Sequence, residues 1–417
     1  MAIQRTRIFL EPNKNRVLLL PFDVNNERTR RIISHQLNLS SLDVEKELEK
    51  LEIEFGHRHN NLKQYCLNRF HEISTQTDLQ ESLSEKRKFL IGSSFVKEYS
   101  VESAALFNPS IVWHPDQSNL KKGERRFILS LRATGEGHIS SIEFRSGVID
   151  SNYNINLDQI NNFVQNPDDI VIEGNNYQLS FDTKTNISER IIFPTTPDES
   201  NGIEDARFVQ FYSENNDATY YATYTAYNGR EIIPKLIETN DFLNFKINEL
   251  KGKESVNKGM ALFPRKIGNN FAMISRQDEE SLYIMFSNSI DKWGNKQLLL
   301  KPKYEWEAIQ IGNCGSPIET KSGWLVLTHG VGILRKYSIG AILLDLENPT
   351  RVIGRLKQPL LAPNEFEREG YVPNVVYSCG SLIHRDKLIM PYALSDYSSS
   401  FSIIDLNELL KNLTNTK

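Results

Sequence analysis

A small set of polar residues recurs at equivalent points of this chain. They are Asn108 and Arg132; Glu204, Asp205 and Arg207; Lys258 with Arg276, Gln277 and Asp278; His329; and Asp396. Each follows or ends a short run rich in Val, Ile, Phe, Tyr or Thr. One such residue alone reads as a turn residue or a surface ion pair. Delivered together by successive units in one register, they read as a site. Charges of both signs, with Tyr and Trp nearby, suit a ligand carrying many hydroxyl groups, because arginine and carboxylate groups both make paired hydrogen bonds to vicinal hydroxyls.

The elements that must position these residues change character near residue 90. Between Leu42 and Phe70, apolar residues fall at Val44, Leu48, Leu51, Phe55, Leu62, Cys66 and Phe70, which is helical spacing. The intervening DVEKELEKLE charges form a wet face, and Asp43 is the expected N-cap. A second helix is expected over residues 79–89. From residue 100 onward, short β-prone runs alternate with Asn, Asp, Gly and Ser turns. Five similar units begin near residues 105, 204, 259, 314 and 372, and the last four starts are 55, 55 and 58 residues apart. A period near 50 with three or four strands per unit predicts an all-β fold, a five-bladed β-propeller over residues 96–417. Residues 1–95 are expected to form an N-terminal helical extension, packed on the propeller or on a neighbouring subunit.

Composition narrows the classes. Hydrophobic residues make up 39% and charged residues 24%, and the net charge is -4, so no global basic field exists to hold a nucleic acid. The three cysteines are scattered too widely for a disulfide framework or a structural zinc site. The apolar runs are too short for a membrane span, and no targeting segment is apparent, so a cytoplasmic location is expected. No metal and no organic cofactor is expected, and Gly135-Glu136-Gly137 lacks the helix that a nucleotide-binding loop needs.

Several stretches, in this order, resemble glycoside hydrolase family 130. These are FNPSIV (107–112), GIEDARF (202–208), YYATYTAYNG (220–229), NKGMALFPRKIG (257–268), SPIETKSGWLVLTHGVG (316–332), VPNVVYSCG (372–380) and the late Ser395-Asp396 pair. The resemblance spans about three quarters of the chain. It implies a five-bladed propeller and an inverting enzyme acting on β-mannosides. The family usually reads Glu-Asp-Pro-Arg where this chain has Glu204-Asp205-Ala206-Arg207. Through the resemblance Asp205 takes the place of the catalytic acid, with its proton passing through a sugar hydroxyl. Arg207 and Asp396 match sugar-binding positions, and Glu204, Tyr227 and Asn228 are further candidate substrate-binding residues.

The family divides by nucleophile. Its phosphorylases place a His-Arg pair where this chain has Ser275-Arg276, followed by the acidic run Asp278-Glu279-Glu280. Carboxylates there would repel a phosphate dianion. The expectation is therefore a β-mannosidase, acting on β-1,2-linked mannosides with water as nucleophile and Glu280 or Glu231 as general base. Retention of Lys258 and Arg276 supports the alternative, a β-mannoside phosphorylase that uses inorganic phosphate as co-substrate and yields α-mannose 1-phosphate. A non-catalytic glycan-binding propeller is the third reading. His329 is expected to touch sugar or nucleophile, Tyr371 could stack on a sugar face, and a homo-oligomer is plausible.

Overall fold

The computed structural model describes residues 3–77, 79 and 82–414. The chain divides into two compact units. The smaller comprises residues 14–101 with 161–166, and the larger comprises residues 1–13, 102–160 and 167–417.

Among its described residues the smaller unit holds four helices, α1 (Asn26–Asn38), α2 (Ser41–Phe55), α3 (Leu62–Thr77) and α4 (Glu85–Ser93). Strands Val17–Pro21 and Val96–Ser100 form an antiparallel pair beside them. The expected helix over 42–70 is two helices, interrupted at Gly56–Asn61 by a short 3-10 turn. The N-cap of α2 is Ser40, whose hydroxyl accepts from the Asp43 backbone N–H at 3.2 Å. Asp43 instead lies in the first turn, where its negative charge meets the positive end of the helix dipole. Ile33, Phe70, Ile73, Ile91 and Phe95 make one core, and Leu19, Leu62, Cys66 and Phe89 make another.

The larger unit is mainly β. Five separate antiparallel sheets follow in chain order. The first is led by Ala105–Trp113, the second by Ile203–Tyr212 and the third by Ala261–Leu262. The fourth is led by Gln310–Asn313 and the fifth by Val376–Tyr377. These starts match the five sequence units. The leading strand of the first sheet is buried along nearly its whole length, so it reads as a continuous apolar run rather than an alternating one. The fifth sheet takes its outer strand from the beginning of the chain: Ile3–Leu10 pairs antiparallel with Ser398–Asp405. That strand was expected in the helical extension; it belongs to the larger unit. Helix α5 (Leu406–Thr414) packs Leu406, Leu409 and Leu413 into the core of the fourth and fifth sheets.

Each sheet packs on the next in chain order. Phe144 meets Phe208 and Tyr220 between the first and second sheets. Val209 and Phe211 join Leu262 and Met273 between the second and third. Ile274 and Ile284 join Trp324 and Ile342 between the third and fourth. Leu325 and Ile339 join Val376 and Leu388 between the fourth and fifth. The fifth sheet returns to the first through Ile389 and Phe401 against Ile111 and Phe127.

Candidate active site

Two β-bulges open the site. The leading strand of the first sheet loses register between Phe107 and Ser110, and that of the second between Glu204 and Arg207. Asn108 and Asp205 sit in these bulges with φ of 49° and 56°. Asn and Asp tolerate this left-handed conformation better than other side chains, and a bulge re-aims a side chain away from its ladder. The two aim at each other: Asn108 Nδ2 donates to Asp205 Oδ1 at 2.6 Å. Gly202 sets the entry to the second bulge. Its φ is 114°, and a Cβ there would stand 2.7 Å from the Ser140 backbone nitrogen.

Arginines surround the carboxylates. Arg132, from the second strand of the first sheet, places one terminal nitrogen 3.0 Å from Glu204 and the other 3.5 Å from Asp205. Arg207 is fully buried, donating to Tyr377 Oη at 2.7 Å and to the Asp205 carbonyl at 3.1 Å. Its guanidinium also stands 3.8 Å from Asp205 Oδ2. Lys258, on the connection into the third sheet, pairs with Glu204 at 2.5 Å. Burial alone would push the Asp205 carboxyl up, but Arg132, Arg207, the Asn108 amide and Lys258 together hold it below the usual carboxylate range.

The third and fourth sheets supply Arg276 and His329, 3.3 Å apart between guanidinium and Nε2. His329 Nδ1 lies 3.3 Å from the Asn313 carbonyl. Burial, then Arg276 and Arg207, push His329 well below the ordinary histidine value, so the ring is neutral. A neutral ring bonded in this way donates from Nδ1 and accepts at Nε2. It stacks on Tyr337 and meets Tyr377 edge-on. Gly312 makes room for it, since a Cβ there would lie 2.4 Å from the imidazole Cε1.

Asp396 comes from the fifth sheet. It and Ser395 form a two-residue hairpin turn with φ of 51° and 48°, closed by the Tyr397 N–H donating to the Leu394 carbonyl at 3.0 Å. Ser395 Oγ donates to the Glu367 carbonyl at 2.7 Å, which pins the turn. Burial first, then the charge of Asp205, pushes the Asp396 carboxyl up to about 6.

The structure thus brings together Asn108, Arg132, Glu204, Asp205, Arg207, Lys258, Arg276, His329 and Asp396. It does not bring in the two candidate bases. Glu280 is exposed in the turn after residue 275, and among the described residues its hydrogen bonds are made by its backbone. Asp278 caps that same turn, accepting from the N–H groups of Glu280 and Ser281 and from the Tyr283 hydroxyl. Gln277 accepts from Ser275 and donates to the Glu254 carbonyl. Glu231 is exposed, in a turn capped by Asn228, which accepts from its N–H at 2.8 Å. Tyr227 is half-buried and joins the loop 201–202 through its backbone. These residues hold turns because Asp and Asn carboxylates and amides satisfy nearby N–H groups in tight loops. Tyr377 and Asn313 were missed. Both lie on leading strands, in the register that flagged the others.

Donors and acceptors in the cluster are left without partners. Among the described residues, the Nε atoms of Arg132, Arg207 and Arg276 are buried without an acceptor, and the Oδ1 atoms of Asn108 and Asn313 are buried without a donor. Such a cluster holds an anion or several hydroxyls when it is filled. A family model described as β-1,4-mannooligosaccharide phosphorylase, of glycoside hydrolase family 130, matches residues 75–415. The chain belongs to glycoside hydrolase family 130. Within that family it is 35% identical over 218 residues to a 1,2-β-oligomannan phosphorylase of Thermoanaerobacter sp., covering 51% of this chain and 72% of the relative. It is 28% identical to a β-1,2-mannobiose phosphorylase of the same organism, covering 74% of this chain and 93% of the relative. One similar solved structure was presented with the finding that this family of mannoside phosphorylases contains glycoside hydrolases targeting β-1,2 mannosidic linkages in Candida mannan. It superposes with a TM-score of 0.54 at 19% identity, over 75% of this chain and 87% of the other, and it shares the family 130 fold.

Proposed function

We propose that this chain is an inverting β-mannoside phosphorylase. It would cleave β-1,2-linked manno-oligosaccharides with inorganic phosphate and release α-mannose 1-phosphate. We take its five sheets as the blades of a five-bladed propeller, since each packs on the next and the fifth returns to the first, with the site where their leading strands converge.

The observation that carries the reading is the separation of charges. Lys258 and Arg276 are part-buried and bonded into the cluster, whereas the acidic run Asp278-Glu279-Glu280 is exposed on its own turn. The repulsion that argued for water is therefore spent in solvent. The water reading also loses its base, because Glu280 and Glu231 are both turn residues outside the hydrogen-bonded network. Ser275 leaves the expected His-Arg pair without its histidine, yet an imidazole stands beside Arg276 all the same, supplied by His329. The named relatives are phosphorylases of β-1,2-mannosides, which supports both nucleophile and linkage.

The roles follow from the charges. Arg276 and Lys258 neutralise the attacking phosphate, and neutral His329 adds no competing charge. Arg132, Glu204 and Arg207 hold hydroxyls of the sugar whose bond breaks. A proton must reach the leaving oxygen, and the family resemblance assigns it to Asp205.

The deciding experiment follows free mannose and mannose 1-phosphate separately during turnover of β-1,2-mannobiose, with and without inorganic phosphate. Mannose 1-phosphate formed only when phosphate is present is the expected result. Two equivalents of free mannose, at a rate indifferent to phosphate, would make water the nucleophile.

A further inference from the structure

A phenol hydroxyl has one proton to give and lone pairs that accept, so a buried one is complete only when both are used. Tyr220 shows the completed pattern: its Oη accepts from Gln210 Nε2 at 3.2 Å and donates to the Trp113 carbonyl at 2.9 Å. Tyr177 and Tyr224 give their protons to Glu199, and Tyr392 gives its proton to Glu367. Tyr377 breaks the pattern. It is 9% exposed, and its Oη accepts from Arg207 Nη2 at 2.7 Å. Among the described residues, no acceptor takes its proton.

The residue stands at the junction of the two halves of the site. It lies on the leading strand of the fifth sheet, opposite Ala393. Its partner Arg207 is 3.8 Å from Asp205 Oδ2, on the side given above to the sugar. Its ring meets His329 edge-on with centroids 4.9 Å apart, and His329 Nε2 is 3.3 Å from Arg276, on the side given to phosphate. The O–H bond of a phenol and the lone pair in the ring plane lie on opposite sides of the C–O axis. Arg207 occupies the lone pair, so the proton points away from the sugar-side arginine. Burial pushes the phenol well above its ordinary value, so it meets a ligand as a donor and not as a phenolate. The nearest cationic group beyond the imidazole, Arg276, also keeps a buried Nε without an acceptor. An anion with several oxygens accepts from both at once.

We propose that Tyr377 is a further substrate-binding residue, whose hydroxyl donates to an oxygen of the bound inorganic phosphate while Arg207 holds the phenol from behind. The inference rests on the phosphorolysis reading and adds a neutral donor from the fifth sheet to the cations that hold the anion. It also gives Arg207 a second task. Beside its contact with Asp205, it orients the phenol, and its positive charge makes the phenol a stronger donor to an anion. The fifth sheet then reaches phosphate through Tyr377, as the third does through Arg276 and the fourth through His329.

The test is calorimetric titration of inorganic phosphate into wild type and Tyr377→Phe, together with steady-state kinetics in which phosphate and β-1,2-mannobiose are varied in turn. Tyr377→Phe keeps the ring against His329 and removes only the donor. It is expected to weaken phosphate binding roughly 10-fold or more and to raise KM for phosphate by a similar factor, because a hydrogen bond to a charged group is lost. KM for mannobiose should stay close to the wild-type value. Unchanged phosphate affinity would overturn the proposal, and so would a rise in KM for mannobiose alone, since the phenol would then serve Arg207 and the sugar. Should Tyr377→Phe not fold, 3,5-difluorotyrosine placed at position 377 decides, for it keeps the shape and makes the phenol more acidic. Phosphate binding must then fall away at lower pH than in wild type, as the donor is lost, and an unmoved pH profile refutes the proposal. If wild type binds no phosphate and frees mannose at a rate indifferent to it, the phosphorolysis reading fails and this inference with it. If wild type binds phosphate and the loss of the hydroxyl leaves that binding unchanged, the inference alone fails.

Discussion

Arg276 reaches the site from the end of the strand Phe271–Ser275, with its Nε buried and unpartnered and one terminal nitrogen 3.3 Å from His329. A phosphate oxygen is the acceptor that would satisfy such a group, and a charge-assisted hydrogen bond of this kind contributes about 1.5–3 kcal/mol. Arg276→Ala should therefore raise KM for phosphate by roughly 10–100-fold, with a much smaller change in KM for mannobiose. Steady-state kinetics with each substrate varied in turn would show it. An equal rise in both would mean that Arg276 serves the sugar instead. The place of Arg276 beside His329 was legible in the sequence, because it stands where the third unit delivers its polar group. The exposure of Glu280 was not. Only three residues separate them, yet the chain turns sharply at Asp278, whose carboxylate captures two N–H groups of its own loop and leaves Glu280 in solvent. Neighbourhood in sequence says nothing about which side of a turn faces the site.

At the scale of elements, the sheets were readable and the bulges were not. Strand, turn and strand recur with a period, and period is what a single sequence displays. The left-handed backbone at Asn108 and Asp205 depends on a register slip against a second strand, a long-range fact with only a faint trace in residue type. The same limit hid α1, whose segment NERTRRIISHQLN is mostly polar and buries only Ile33. It also joined α2 to α3, since helical spacing continues across the break at Gly56. The hairpin turn at Ser395 and Asp396, both with positive φ, makes a testable case. Its carboxyl has a raised pKa, so its contribution to stability is fully present below the unfolded value near 3.8 and is lost as pH rises through about 6. Asp396→Asn should then raise Tm above pH 7 by roughly 2–4 °C, and should leave it nearly unchanged at pH 4. Thermal melts at the two pH values check this. A variant that is less stable at both would show that the carboxylate braces the turn instead.

Across the larger unit, the first strand and the site belong to one mechanical chain. Strand Ile3–Leu10 completes the fifth sheet, and from it Arg5 reaches Glu367 at 2.9 Å and the Ala362 carbonyl at 2.8 Å. Glu367 in turn accepts from Tyr392 at 2.7 Å, and its own carbonyl takes the hydroxyl of Ser395, next to Asp396. One arginine on a strand far away in sequence therefore braces the loop on which the Ser395-Asp396 turn rests. Removing it leaves a buried carboxylate with fewer partners, a loss that costs about 1–3 kcal/mol in local stability. Arg5→Ala should speed amide exchange across residues 363–374 by roughly 10-fold or more, while the core strands of the first four sheets keep their protection. It should also lower kcat/KM several-fold, because the carboxyl of Asp396 would no longer be held at one place relative to Asp205. Hydrogen exchange read segment by segment separates this from general unfolding. Unchanged exchange in that loop would mean that the sheet alone, without Arg5, keeps the turn in position.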